Sequence, residues 1–174
     1  MSHVKTTSGS SKKRFKGKVA ILTGAARGIG AQVARDYVAE GGKVALIGLE
    51  PELLADLTRE LGPSAAAWWD VDVRDGEALK HAIDAAATHF GRIDHVLANA
   101  GIASYGTVRQ LDDAAFDRVI DVNLGGVFRT MKYSAPHLEK SRGYLLAVSS
   151  MAAFTPLAGL APYNASKAGC EALA

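Results

Sequence analysis

Five short runs of strand-forming residues, at 19–22, 44–47, 65–71, 93–98 and 144–148, alternate along this chain with longer stretches of helical periodicity. Such alternation calls for parallel strands joined by crossover helices, because two successive strands run parallel only if the chain travels back along the sheet between them. Runs 19–22, 44–47 and 144–148 are almost wholly apolar, as expected of strands covered by helices on both faces. A sheet with one wet face would alternate instead.

The intervening helices have legible ends. Residues 29–40 stop at Gly41-Gly42, where a left-handed residue is tolerated. Pro51, between Glu50 and Glu52, suits the first turn of a helix that runs out at Gly62-Pro63. A third pattern, 75–90, ends at Gly91. A longer one, 112–139, carries Phe116, Val119, Ile120, Leu124 and Val127 on one face, and Pro136 is expected to end or kink it. The last begins near Tyr163 and is still running at Ala174. No solenoid-period repeat and no long linker interrupts the pattern. The chain therefore reads as one α/β domain, a Rossmann-type doubly wound parallel sheet over 18–174, behind a disordered basic leader at 1–17.

Composition narrows the function classes. With 174 residues, 48% of them hydrophobic, the chain is long enough to bury a core without disulfides. Its one cysteine, Cys170, allows neither an internal bridge nor a cysteine-rich zinc site. The five histidines show no paired ligand spacing, so no metal is expected. No apolar run reaches the roughly 18 residues of a membrane span, and no signal-peptide core follows Met1; the expected setting is the cytoplasm, with no membrane partner. The net charge of +2 misleads, because Lys5, Lys12, Lys13, Arg14, Lys16 and Lys18 precede every acid in the chain. The remainder holds 14 basic against 18 acidic residues, and the arm reads as a solvated tail with no nucleic-acid partner.

Immediately after the first strand comes Thr23-Gly24-Ala25-Ala26-Arg27-Gly28-Ile29-Gly30, which opens the first helix. Glycines there let the backbone approach a pyrophosphate without an intervening Cβ, while free amides and the helix dipole supply the positive end. The spacing G-x-x-x-G-x-G differs from the G-x-G-x-x-G fingerprint. Its weight comes from its place between an apolar strand and a helix.

Tyr163 and Lys167 lie four residues apart and so share one face of a helix. A phenol titrates near pH 10, but a cation about 4 Å away at an effective dielectric of 20 is worth about 4 kcal/mol, or about 3 pH units. That spacing predicts a phenol tuned for proton transfer near neutral pH. Ser150 ends the fifth strand thirteen residues before Tyr163, where its hydroxyl can meet the same substrate oxygen.

In these motifs and their order the chain resembles the short-chain dehydrogenases/reductases, over Lys18 to Ala174. The turn Thr23 to Gly30 is similar to that family's cofactor motif. Asp72-Val73 resembles its adenine contact, and Asn99-Ala100-Gly101 resembles the motif after the fourth strand, although Ala98 stands where an asparagine is common. Asn123, in Val122-Asn123-Leu124, resembles the asparagine of the catalytic tetrad. The resemblance implies that Tyr163 exchanges a proton with the substrate oxygen and Ser150 holds that oxygen. It also implies that Lys167 lowers the phenol pKa and binds the nicotinamide ribose, and that Asn123 steadies a water leading from Lys167 to solvent.

The expected protein is thus an NAD(P)-dependent oxidoreductase interconverting a small lipophilic secondary alcohol and its ketone. The alternative is a non-catalytic dinucleotide-binding scaffold, or an inactive fragment of such an enzyme. NAD and NADP are left open: Gly48 stands where NAD users carry an acid and Leu49 where NADP users often carry arginine, while Glu50 favours NAD and Arg27 favours NADP. The resemblance further implies a homo-oligomer, dimer or tetramer, formed through the 112–139 helix and the terminal helix. It also implies a further C-terminal part, with another strand and the substrate-covering loop, so the expected chain is either a fragment lacking that part or one whose open sheet edge a partner covers.

Overall fold

A computed structural model describes residues 13–173. In chain order it contains β1 (Val19–Thr23), α1 (Gly28–Ala39), β2 (Lys43–Gly48), α2 (Pro51–Leu61), β3 (Ala66–Asp70) and α3 (Gly76–Phe90). Then follow β4 (His95–Ala98), α4 (Asp113–Ile120), α5 (Gly126–Ser141), β5 (Tyr144–Ala147) and α6 (Ala161–Leu173). Every strand pairing is parallel, in the order β3-β2-β1-β4-β5. The chain winds outward from β1 to β3, then crosses to β4 and β5 on the other side. The loops leaving β1 and β4 therefore diverge and open a crevice at the carboxyl ends of the strands.

Successive side chains of β1 enter opposite layers: Ala20 and Leu22 pack with α1 and α2, Val19 and Ile21 with α3 and Leu138 of α5. Burial on both sides is why this strand reads as an unbroken apolar run. β5 departs from that expectation. Leu146 lies in register with Leu97 on the α1 face, but that layer ends short of it, leaving Tyr144 and Leu146 59% and 57% exposed.

The helix starts follow local chemistry. Asp75 caps α3 by accepting from the Ala78 amide at 3.0 Å, Asp112 caps α4 from the Ala115 amide at 2.6 Å, and Pro51 opens α2. The single helix expected over 112–139 is broken by a π-helical turn at Asp121–Gly125. A Cβ on Gly126 would fall 2.6 Å from Val73 Cγ2, so the backbone there presses against the loop after β3, and the extra residue of the π-turn swings Asn123 inward. Nor does Pro136 end the helix. Buried Ser134 and Leu138 flank it, and α5 continues to Ser141, stopping at Arg142 in a left-handed conformation (φ 54°).

Residues 13–17, assigned by sequence to the leader, pack on the body: Phe15 stacks on Tyr37 with ring centroids 4.1 Å apart, and Arg14 pairs with Glu40 at 3.2 Å. The rest of the expected leader, 1–12, lies outside the described residues. Among the described residues no helix is long and apolar enough to cross a membrane.

Candidate active site

The crevice between the β1 and β4 loops is a cleft of about 830 Å³, walled by the glycine turn, the ends of β2 to β5 and the start of α6. Its floor is pinned from both sides. Thr23 Oγ1 accepts from the amides of Asn99 (3.0 Å) and Ala100 (3.2 Å), while Asn99 Nδ2 donates to the carbonyls of Thr23 (3.0 Å) and Gly24 (3.1 Å). Thr23 and Asn99 thus lock the two loops to each other, and Thr23 is too deeply buried to touch a ligand.

The glycines of the turn are spatially required. A Cβ on Gly24 would lie 2.8 Å from Ala100 Cα, and one on Gly30 would collide with the Gly24 carbonyl. Gly28 takes a left-handed conformation (φ 57°). The first turn of α1 holds no acidic residue and no side-chain cap, so its amides are free to meet an anion. The closely approached backbone and uncapped helix start fit the pyrophosphate of a dinucleotide. Gly24, Arg27 and Ile29 face the cleft, as do Ala100 and Gly101 across from them.

At the end of β2, Glu50 reaches back across the opening and pairs with Arg27, Oε1 to Nη2 3.0 Å. Beside it Asp72 and Val73 form the wall beyond β3. The Arg74 guanidinium, 2.6 Å from Asp72 Oδ2, holds that carboxyl below its ordinary range and keeps it charged.

At the other end of the cleft, Ser150, Tyr163 and Lys167 come together. Ser150 Oγ accepts from the Ala152 amide at 3.1 Å, which turns the chain into a short 3-10 segment and leaves the hydroxyl hydrogen free to donate. Lys167 is 4% exposed; its Nζ donates to the Val148 carbonyl at 2.6 Å and stands 5.7 Å from the centre of the Tyr163 ring. The ammonium is thus held by the end of β5, on the same side of α6 as the phenol.

Asn123 is not part of the cleft wall but lies wholly buried behind it. Its Oδ1 accepts from the Ile102 amide (2.8 Å), and its Nδ2 donates to the Ile102 carbonyl (2.9 Å) and to Ser166 Oγ (3.0 Å). Its carboxamide is therefore committed to protein partners. Sequence reasoning missed Ser166, although a serine three residues after Tyr163 lies next to it on a helix surface. It also missed the Val148 carbonyl, which no side-chain motif could reveal.

A profile of the family described as short chain dehydrogenase matches residues 18–174, and the chain belongs to that family. Among curated relatives it is 36% identical over 158 residues to 11-beta-hydroxysteroid dehydrogenase-like 2 of Arabidopsis thaliana, covering 87% of this chain and 51% of that one. It is also 36% identical over 159 residues to cis-2,3-dihydrobiphenyl-2,3-diol dehydrogenase of Paraburkholderia xenovorans, covering 88% and 57%. Among solved structures, carveol dehydrogenase from Mycobacterium avium in complex with NAD superposes with a TM-score of 0.86 at 34% identity, covering 92% of this chain and 64% of that one. A short-chain dehydrogenase/reductase from Brucella melitensis gives 0.88 at 30% identity, covering 91% and 68%. The chain spans about half the length of the curated relatives it matches.

Proposed function

We propose that the protein is an NAD(P)-dependent oxidoreductase that interconverts a secondary alcohol and a ketone, with Tyr163 as the proton-transferring acid and base. The observation carrying this reading is that Tyr163 and Lys167 open into the same cleft as the glycine turn. Backbone amides of the turn hold the pyrophosphate, Asp72 and Val73 meet the adenine, and Lys167 meets the nicotinamide ribose. The bound dinucleotide supplies or accepts the hydride.

Tyr163 gives its phenolic proton to the substrate oxygen in reduction and takes it back in oxidation, while Ser150 donates its free hydrogen to the same oxygen. The Asn123 carboxamide is committed to Ile102 and Ser166 and its backbone carbonyl accepts from the Cys170 thiol at 3.2 Å, so Asn123 acts from behind the cleft by holding the Ile102 loop against α6.

A small lipophilic substrate is supported by the cleft beside Ser150, where Ile102, Tyr105, Leu157 and Leu160 supply apolar walls. NAD is favoured over NADP because Glu50 pairs with Arg27 at 3.0 Å and its carboxylate would repel a 2′-phosphate approaching that guanidinium. A homo-oligomer is supported by the apolar face shared by α4, α5 and α6, on which Phe116, Phe128 and Leu173 are 43%, 50% and 38% exposed. The cytoplasm is the proposed setting.

The test is transfer of label. Purified protein incubated with NADH deuterated at its transferable position and a panel of cyclic and aromatic ketones should yield deuterated alcohol by mass spectrometry. Dinucleotide binding with no transfer to any ketone would instead establish a non-catalytic scaffold.

A further inference from the structure

The hydrogen bonds around Asn123 converge from one side of α6. Ser166 and Cys170 lie four residues apart, 0% and 1% exposed, and each meets a different part of that asparagine. Ser166 Oγ accepts from Asn123 Nδ2 at 3.0 Å and passes its own hydrogen to the Tyr163 carbonyl at 2.8 Å. Cys170 Sγ donates to the Asn123 carbonyl at 3.2 Å. Burial pushes the Cys170 thiol up, which keeps the hydrogen that this bond needs. Asn123 in turn grips both backbone groups of Ile102, in the loop that walls the cleft after β4.

A π-turn needs such support. Its wider ring is less favourable than an α-turn and persists where outside contacts hold it, often at functional sites. Here α6 supplies two such contacts, one to the side chain and one to the backbone. We infer that Ser166 and Cys170 are positioning residues: together they clamp Asn123 in its π-turn, and through it fix α6, with Tyr163 and Lys167, against the Ile102 loop. This rests on the catalytic reading of Tyr163 and Lys167. It assigns the buried cysteine, which packs with Ala98 and Val127, a hydrogen-bonding task as well.

The clamp is tested on the purified protein with Ser166→Ala, Cys170→Ala and Cys170→Ser, the last retaining a donor. One arm follows amide hydrogen exchange at Ile102 and at 121–125, which requires no turnover. Both alanine variants should speed exchange there by about tenfold or more while β2 amides keep their wild-type rates, and Cys170→Ser should restore most of the protection. The second arm measures kcat, the KM for dinucleotide and the pH profile of kcat. The alanine variants should lower kcat by about tenfold and move the profile, with KM changed less than about twofold, and Cys170→Ser should recover kcat. Unchanged exchange at Ile102 overturns the clamp. Faster exchange with kcat and pH profile both at wild-type values overturns the positioning role. A wild-type protein without turnover refutes the catalytic reading instead, and the exchange arm then decides the clamp by itself.

Discussion

Arg27 and Glu50 face each other across the mouth of the cleft, guanidinium Nη2 to carboxylate Oε1 3.0 Å, although one belongs to the turn after β1 and the other to the end of β2. Read along the sequence they argue for opposite cofactors. In space each answers the other: the only charge in the glycine turn that could receive a 2′-phosphate is already paired.

Removing the carboxylate should therefore loosen cofactor choice. Glu50→Gln frees Arg27 and removes the repulsion, so the ratio of NADPH to NADH affinity should rise by about tenfold or more. Fluorescence titration with each reduced cofactor measures this. Arg27→Ala in the same background should reverse the gain; an unchanged ratio in Glu50→Gln would show that the pair does not govern the choice.

Far from the cleft, at the amino end of the sheet, His95 sits among Phe15, Tyr37 and Tyr144, with Asp94 and Lys18 the nearest charges. Tyr37 Oη lies 2.7 Å from His95 Nδ1, and burial pushes the phenol up and the imidazole down, so the phenol donates to a neutral ring. A folded-state pKa below the usual value of about 6.5 means that the contribution is complete above that pH and is lost as pH falls through the folded value. Denaturant melts should show wild type losing stability as pH falls below about 6.5, and His95→Gln losing less. Asp94 acts lower down: burial pushes its carboxyl up, but Arg92, Lys18 and the Val19 amide outweigh this and hold it down. Its contribution is present above about pH 3.9 and is lost only as pH falls below that.

The apolar face of α4, α5 and α6 gives a third expectation. Phe128 is half exposed beside a hollow lined by Ile120, Leu124 and Leu173. Phe128→Glu should shift sizing chromatography toward the monomer at equal concentration without changing the circular dichroism spectrum. A wild-type protein that elutes as a monomer would contradict self-association outright.

The legibility of this molecule followed the range of the physics involved. β1 and β2 were readable because residues 19–22 and 44–47 are buried on both faces and had to be apolar. The starts expected at 75 and 112 lie within one residue of α3 and α4, because the aspartates there cap the helices locally. The interruption of the long helix was not, since it depends on Gly126 pressing against Val73, more than fifty residues away. Pro136 does not end the helix, since α5 continues past it with Ser134 and Leu138 buried on either side. In the site, Tyr163 and Lys167 could be paired from helical spacing, but the Val148 carbonyl that holds Lys167 has no side-chain signal. The β5 run was as apolar as β1, yet its place at the sheet edge leaves Leu146 uncovered.

The most direct trial of the catalytic reading is Tyr163→Phe, which removes one oxygen from the cleft and leaves the glycine turn, Lys167 and the ring in place. Cofactor affinity by fluorescence and turnover by loss of NADH absorbance are measured on the same samples as wild type. The account predicts affinity within about twofold of wild type and turnover reduced by at least about a thousandfold. A variant that turns over at the wild-type rate would contradict it.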